Sequence, residues 1–309
     1  MTGCKADSSV LNRPSVYNRN NRLNAKDTMK TKAKQKLAGS PPGQKEFSLI
    51  RNQKLLDLYV AMLKCRMIGD HARSRFRKSK LARGLAPAAV HEASGAGVIL
   101  ELLPEDALSL TAGNPIPGFL KNQPLRETLS ALKRGTASAA SGSLGILPPA
   151  EAIAARLHVA IGIALANKLN RNRRIVAVFC EATAATLRSS PEALRFASMH
   201  ALPILFVFES TGSGNSEAAA SNWEACNIPH ICVDGNDVVG IYRVAHESIE
   251  LARRGSGPTL IECKAESGDA IENMEQYLKR KGLFDEQTKR KTMAAFKKEL
   301  DAALRRPRK

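Results

Sequence analysis

The sequence lacks several features that would place it in a familiar class. Its six cysteines include no Cys-x-x-Cys pair, which argues against a structural zinc site and a disulfide scaffold. Apolar runs stay well short of the roughly 18 residues that a membrane span needs. Residues 1–20 lack the apolar core of a secretory signal. These absences predict a protein of the reducing cytoplasm.

Nucleotide-binding motifs are missing as well. No strand-like run is followed by Gly-x-Gly-x-x-Gly, and there is no Gly-x-x-x-x-Gly-Lys-Ser/Thr. The dinucleotide and P-loop interpretations therefore have no support.

The net charge of +18 is concentrated at the two ends of the chain. Residues 1–45 and 277–309 each carry +8, which leaves +2 for residues 46–276. A basic patch on a folded face would indicate nucleic-acid binding, whereas basic ends indicate solvated tails or weak attraction to polyanions. We therefore expect no specific nucleic-acid binding. The predicted organisation is a disordered basic tail, a central domain and a basic helical C-terminal tail.

The central region alternates runs typical of strands with helical patterns. This alternation predicts an α/β fold, with a mostly parallel sheet and helices on both faces. The predicted strands are 107–110, 175–179, 202–208, 228–233 and 259–263. The predicted helices are 48–83, 86–103, 125–134, 151–169, 222–225, 241–254, one between the second and third strands, and two in 269–305.

Two strand ends carry the candidate site. In parallel sheets, ligands bind beyond the carboxyl ends of the strands. The second predicted strand runs into Cys180, Glu181 and Ala182, and the third ends at Ser210 and Thr211. We therefore expect the chemistry of this protein where these two ends meet.

Several short segments, in a fixed order, resemble one family. Together, residues 48–284 resemble the alpha subunit of the thiamine-diphosphate-dependent E1 component of 2-oxo acid dehydrogenases, of the pyruvate and branched-chain type. The segments are Leu58-Tyr59 with Met62-Leu63 and Arg66, His91-Glu92-Ala93, and 160–166, 202–207, 233–238 and 257–262.

The resemblance implies a thiamine-diphosphate-binding fold and an α₂β₂ assembly. This chain would bind the diphosphate end of the cofactor and Mg²⁺, an E1 beta-like subunit would hold its aminopyrimidine ring, and a lipoyl-bearing acyltransferase would accept the product. The cofactor supplies the carbon that decarboxylates a 2-oxo acid, and the protein positions it.

The cofactor motifs of the family are altered here. Its Gly-Asp-Gly reads Cys180-Glu181-Ala182, and its Asn-Asn reads Ser210-Thr211 after a retained Glu209. The resemblance thus implies Glu181, Ala182, Ser210 and Thr211 as cofactor-binding residues, with Glu181, Ser210 and Thr211 as metal ligands. Mg²⁺ demands near-octahedral oxygen geometry, so these changes together predict a weakened site.

Other family positions are also replaced. The diphosphate-gripping Tyr-Arg pair is absent at 111–114, and both active-site histidines are missing from 135–149 and 265–269. No catalytic residue is predicted. The leading hypothesis is an impaired or non-catalytic paralogue that keeps the fold and the pairing surface. The alternatives are an active subunit with substituted Mg²⁺ ligands and an interaction protein that contacts polyanions through its basic tails.

Overall fold

The computed structural model describes residues 50–76, 78–79, 89–111, 114–135, 145–147, 152–211, 226–265 and 268–303. The predicted basic tail 1–45 and the predicted helix 222–225 lie outside these residues, as does most of the uncharged segment 135–149.

The centre of the fold is a five-stranded sheet. Every pair of neighbouring strands is parallel, and the spatial order is β1-β2-β3-β5-β4. The central strands are nearly continuous apolar runs because helices cover both of their faces. The predicted α/β sheet is therefore confirmed. The strands are β1 Ala107–Ser109, β2 Val176–Glu181, β3 Ile204–Thr211, β4 His230–Asp234 and β5 Thr259–Ala265.

Helices occupy both sides of this sheet. In chain order they are α1 Asn52–Arg75, α2 Ala89–Ile99, α3 Leu125–Arg134, α4 Ile153–Leu169, α5 Ala184–Ser189, α6 Pro191–Met199, α7 Val238–Arg253, α8 Ala270–Arg280 and α9 Glu286–Ala303, with a short 3₁₀ helix at Ile116–Lys121.

The two faces of the sheet have separate cores. On the first face, Phe179 and Val207 pack with apolar residues of α1, α2, α7 and α8. On the second face, Phe206 and Phe208 pack with apolar residues of α4 and α6. Because side chains alternate along a strand, residues next to one another in β2 or β3 belong to opposite faces.

Helices α2 and α7 approach each other closely on the first face. A Cβ atom built on Gly97 of α2 would lie 2.7 Å from Cγ2 of Ile241 on α7. Only glycine permits this separation without a shift of the neighbouring side chain. The contact fixes α2, which carries several polar residues of the candidate site.

The C-terminal helix α9 packs on the rest of the fold. Phe296 and Leu300 are buried in an apolar cluster with Cys65 and Ile68 of α1. The segment predicted as a basic tail from residue 277 therefore contains part of α8 and a helix with a buried apolar side.

Candidate functional site

The carboxyl edge of the sheet, where the strands end, brings together the ends of β2 and β3. Glu181 is aligned with Glu209, and the Ala182 amide donates to the Glu209 carbonyl oxygen at 2.8 Å. Ser210 is aligned with Lys264 of β5, and Thr211 is the last residue of β3. The four predicted site residues thus lie at one edge, on two neighbouring strands.

The register separates two of these residues. Glu181 and Phe179 share the first face by alternation, whereas Ser210 and Phe208 share the second face. Glu181 is exposed, and Ser210 is partly buried. The sheet therefore directs the side chains of Glu181 and Ser210 to opposite sides.

Glu209 is directed to the first face and is buried. The Ser94 hydroxyl of α2 donates a short hydrogen bond to its carboxylate. The retained glutamate of the family pattern is thus tied to α2.

A second carboxylate of α2, Glu92, is only 2% exposed. Arg66 of α1 donates to Glu92 Oε1 at 2.6 Å and to Asp269 Oδ2 at 2.8 Å, so one arginine serves two acids. Among the described residues, Glu92 Oε2 has no hydrogen-bond partner. Burial raises the pKa of Glu92 to about 7, although the Arg66 guanidinium opposes this increase. The buried carboxyl of Glu92 is therefore partly protonated near neutral pH.

On the second face, Arg156 of α4 reaches the end of β2. Its side chain is 6% exposed, and its Nη2 donates a short hydrogen bond to the Phe179 carbonyl oxygen. Its Nε has no hydrogen-bond partner in the part of the chain that the structure describes. Burial lowers the pKa of Arg156, while the nearby Cys180 and Glu181 side chains oppose that decrease.

Sequence reasoning missed Arg156, although a signal was present. It is the one formally charged residue between positions 152 and 167, in a helix that is otherwise apolar or neutral. An arginine is seldom buried unless it is paired, so a single arginine in an otherwise uncharged helix indicates a candidate site residue.

Glu181 and Ser210 are not placed to bind one Mg²⁺ ion together. Magnesium needs several oxygen ligands in near-octahedral geometry, yet Glu181 and Ser210 face opposite sides of the sheet. Arg156 places a permanent positive charge close to Glu181. Across the described residues, no three histidine, cysteine, aspartate or glutamate side chains are grouped so that they could hold a metal ion.

Comparison with known proteins identifies the relatives of this chain. Residues 126–265 match the family model described as dehydrogenase E1 component. The alpha subunit of acetoin:2,6-dichlorophenolindophenol oxidoreductase from Bacillus subtilis (strain 168) is 28% identical over 244 residues, which cover 71% of this chain and 72% of that one. The chain is thus similar to E1 alpha subunits.

Two further matches agree with this similarity. The pyruvate dehydrogenase E1 component subunit alpha of Acholeplasma laidlawii is 32% identical to this chain over 126 residues, covering 38% of this chain and 36% of that subunit. The crystal structure of transketolase from Campylobacter jejuni subsp. jejuni NCTC 11168 aligns with a TM-score of 0.50 at 15% identity, covering 82% of this chain and 47% of that one. The predicted fold class is thus confirmed.

In the part of the chain that the structure describes, every helix is too short or too polar to span a bilayer.

Proposed function

We propose that this chain is an E1 alpha-like subunit of the 2-oxo acid dehydrogenase type in which the thiamine diphosphate and Mg²⁺ site is impaired. The subunit would be non-catalytic or strongly weakened, and it would keep the surface that pairs with an E1 beta-like subunit. Sequence similarity to E1 alpha subunits supports the subunit type.

One observation carries the impairment. Two of the three metal-ligand candidates, Glu181 and Ser210, face opposite sides of the sheet, and Arg156 holds a positive charge beside the single acidic candidate. A metal ion at this edge would lose ligands and gain a repelling neighbour.

Titration calorimetry with thiamine diphosphate and excess Mg²⁺ tests the proposal. It should be run on the full chain alone and on the chain co-purified with an E1 beta-like subunit. We expect the two chains to co-elute and to show no micromolar binding of the cofactor through the alpha-like site.

The variants Glu181→Ala and Glu105→Ala make the test specific. Glu105 is an exposed acid before β1, at the opposite edge of the sheet, and serves as the matched control. Micromolar, Mg²⁺-dependent binding that is lost in Glu181→Ala and kept in Glu105→Ala would support the active alternative and contradict the proposal.

A further inference from the structure

The outer edge of β4 has no neighbouring strand in the part of the chain that the structure describes. At the other side of the sheet, β1 is continued by Ile146, which forms a parallel bridge with Leu108. Ile231 and Cys232 of β4 are both exposed, although successive side chains of a strand point to opposite faces. The middle of β4 is therefore accessible from both faces of the sheet.

The main chain of β4 also directs hydrogen-bonding groups outward. The Pro229 carbonyl oxygen accepts from the Leu260 amide of β5 at 2.9 Å, and the Gly235 amide donates to the Lys264 carbonyl oxygen at 2.7 Å. Alternate residues of a strand turn their amide and carbonyl groups to opposite sides. Because positions 229 and 235 face β5, Cys232 turns both of its main-chain groups away from β5, toward the outer edge.

The sequence of β4 is complementary to itself when it is read in the opposite direction. The strand is His230-Ile231-Cys232-Val233-Asp234. Antiparallel pairing about a two-fold axis at Cys232 places His230 opposite Asp234 of a second copy, Ile231 opposite Val233, and Cys232 opposite itself. Opposite residues of antiparallel strands share a face, and pairs of basic with acidic or of two apolar side chains stabilise the pairing.

We propose that the outer edge of β4 is a self-association surface, to which a second copy of this chain adds its own β4 in antiparallel orientation. The two sheets then form one continuous sheet across a two-fold axis. The proposal goes beyond the proposed function, because β5 lies between β4 and the strands β2 and β3 that carry the candidate cofactor site.

A second copy suits this edge better than an unrelated strand does. An unrelated strand must bring an acid opposite His230 and a basic residue opposite Asp234 at the correct spacing, whereas a second copy brings both. His230 is already held on its face of the sheet by a 3.1 Å contact with Glu262 Oε2. Charged residues on an edge strand ordinarily prevent pairing, and here they allow it in one register. Since the shared strand is short, we expect a weak and reversible dimer.

Sedimentation velocity of the full chain over a range of concentrations tests this proposal with two substitutions at one position. Cys232→Pro removes the outward amide without removing a hydrogen bond to β5, and proline is tolerated at such positions of edge strands. It should weaken self-association by about tenfold or more, because the symmetric dimer loses two hydrogen bonds. Cys232→Ser keeps the amide and should associate like the wild type. Circular dichroism and the Tm check that both variants are folded.

Two side-chain substitutions test the predicted neighbours. Ile231→Glu places a charge opposite Val233 of the second copy and should abolish the dimer. Val159→Glu is the matched control, because Val159 is 44% exposed, as against 36% for Ile231, and lies on α4. Asp234→Asn keeps the oxygen atom that accepts from the Asn236 amide and removes the charge opposite His230, so its dimer should be about threefold weaker.

Disulfide formation tests the register. Opposite residues of a hydrogen-bonded antiparallel pair have Cα atoms about 5.5 Å apart, within the range of about 4.4–6.8 Å that a disulfide spans. The oxidant diamide takes two electrons and two protons from two thiols, and it should link two wild-type chains through Cys232. Cys232→Ser should prevent this link. Cys4→Ser should leave it unchanged, which excludes the cysteine of the basic N-terminal segment as its source.

Three results would overturn the proposal. A chain that stays monomeric up to about 1 mM has no self-association surface of use. A dimer whose affinity is the same in the wild type, Cys232→Pro and Ile231→Glu is formed by another surface. A dimer that diamide does not link through Cys232 has a different register. None of these results depends on cofactor binding, so the proposed function is tested separately by its own calorimetry.

Discussion

The amino and carboxyl edges of the sheet both bury charged side chains, but the two edges differ in how completely those side chains are hydrogen-bonded. At the amino edge, where the strands begin, Asp106 accepts from Arg253 in a two-pronged ion pair and from the amides of Leu103 and Ile175. Arg253 also donates to the Arg173 carbonyl oxygen at 2.9 Å. At the carboxyl edge, Glu92 and Arg156 each retain a buried polar atom that has no hydrogen-bond partner among the described residues.

This difference separates a structural network from a candidate site. Nearly every buried polar group in a native protein is hydrogen-bonded, so the satisfied Asp106 network is the expected outcome. Buried polar groups without a hydrogen-bond partner concentrate at sites where the sequence is selected for function and not for stability. The amino edge therefore holds the fold together, and the carboxyl edge carries the features that a ligand would complete.

The largest effect is expected from Asp106→Ala. The substitution leaves Arg253 buried without its acid and removes the acceptor of two backbone amides, which should lower the free energy of unfolding by about 3–5 kcal/mol. Urea denaturation measures this change. Glu105→Ala, at the exposed neighbouring position, should change it by less than about 0.5 kcal/mol. Equal effects of the two substitutions would remove the contrast between the edges.

An intermediate and pH-dependent effect is expected from Glu92→Gln. Since burial raises the pKa of Glu92 from 4.5 to about 7, the folded state holds this proton more tightly than the unfolded state. Its contribution to stability is therefore complete below pH 4.5 and is lost as the pH rises to about 7, with a slope of at most about 1.4 kcal/mol per pH unit. Glu92→Gln removes this loss, so the variant should gain stability relative to the wild type across that range.

Glu101→Gln is the control for the sign of this prediction. Burial works against ionisation of Glu101, but Lys54 and His246 lower its pKa below the ordinary value. The intact Glu101 therefore contributes its stability in full above the ordinary pKa value of 4.5 and loses it as the pH falls below that value. Glu101→Gln should be less stable than the wild type at neutral pH, and this difference should shrink at low pH. Urea denaturation at several pH values compares the two difference curves, and parallel curves would contradict the pKa assignment of Glu92.

The smallest effect is expected from Glu181→Gln. Glu181 is exposed at the end of β2, and no hydrogen bond or ion pair in the described part of the chain includes its carboxylate. The free energy of unfolding should change by less than about 0.5 kcal/mol. A loss above about 2 kcal/mol would mean that Glu181 is a structural partner of the edge, and the contrast with Asp106 would fail.

Much of the fold could be predicted from local patterns. The apolar runs located all five strands to within a few residues, and the helix predicted at 125–134 matches α3. Helix ends were less accurate: the helix predicted at 48–83 ends at Arg75 as α1. The single helix predicted between β2 and β3 is α5 followed by α6, because Pro191 begins a new helix after Ser190. The predicted elements did not include the 3₁₀ helix at Ile116–Lys121.

The candidate site could be predicted only in part. The predicted strand ends placed Glu181 and Ser210 at one edge of the sheet. Which face each side chain points to depends on where each strand ends and on the pairing of β2 with β3. Such a register follows from long-range packing, since a shift of one residue reverses the face of every side chain. The role of Arg156 could not be predicted for the same reason, because its contact with Phe179 joins residues on different elements.

The strand order has a consequence for how the chain folds. β1, β2 and β3 are neighbours in the order in which they are synthesised, so each new strand can add to an existing edge. Among the described strands, β4 pairs with β5 alone. Because β5 follows after the whole of α7, β4 leaves the ribosome before this neighbour exists. An unpaired strand edge favours association with other chains. The five-residue length of β4 and its charged Asp234 reduce that risk until β5 is inserted beside β3.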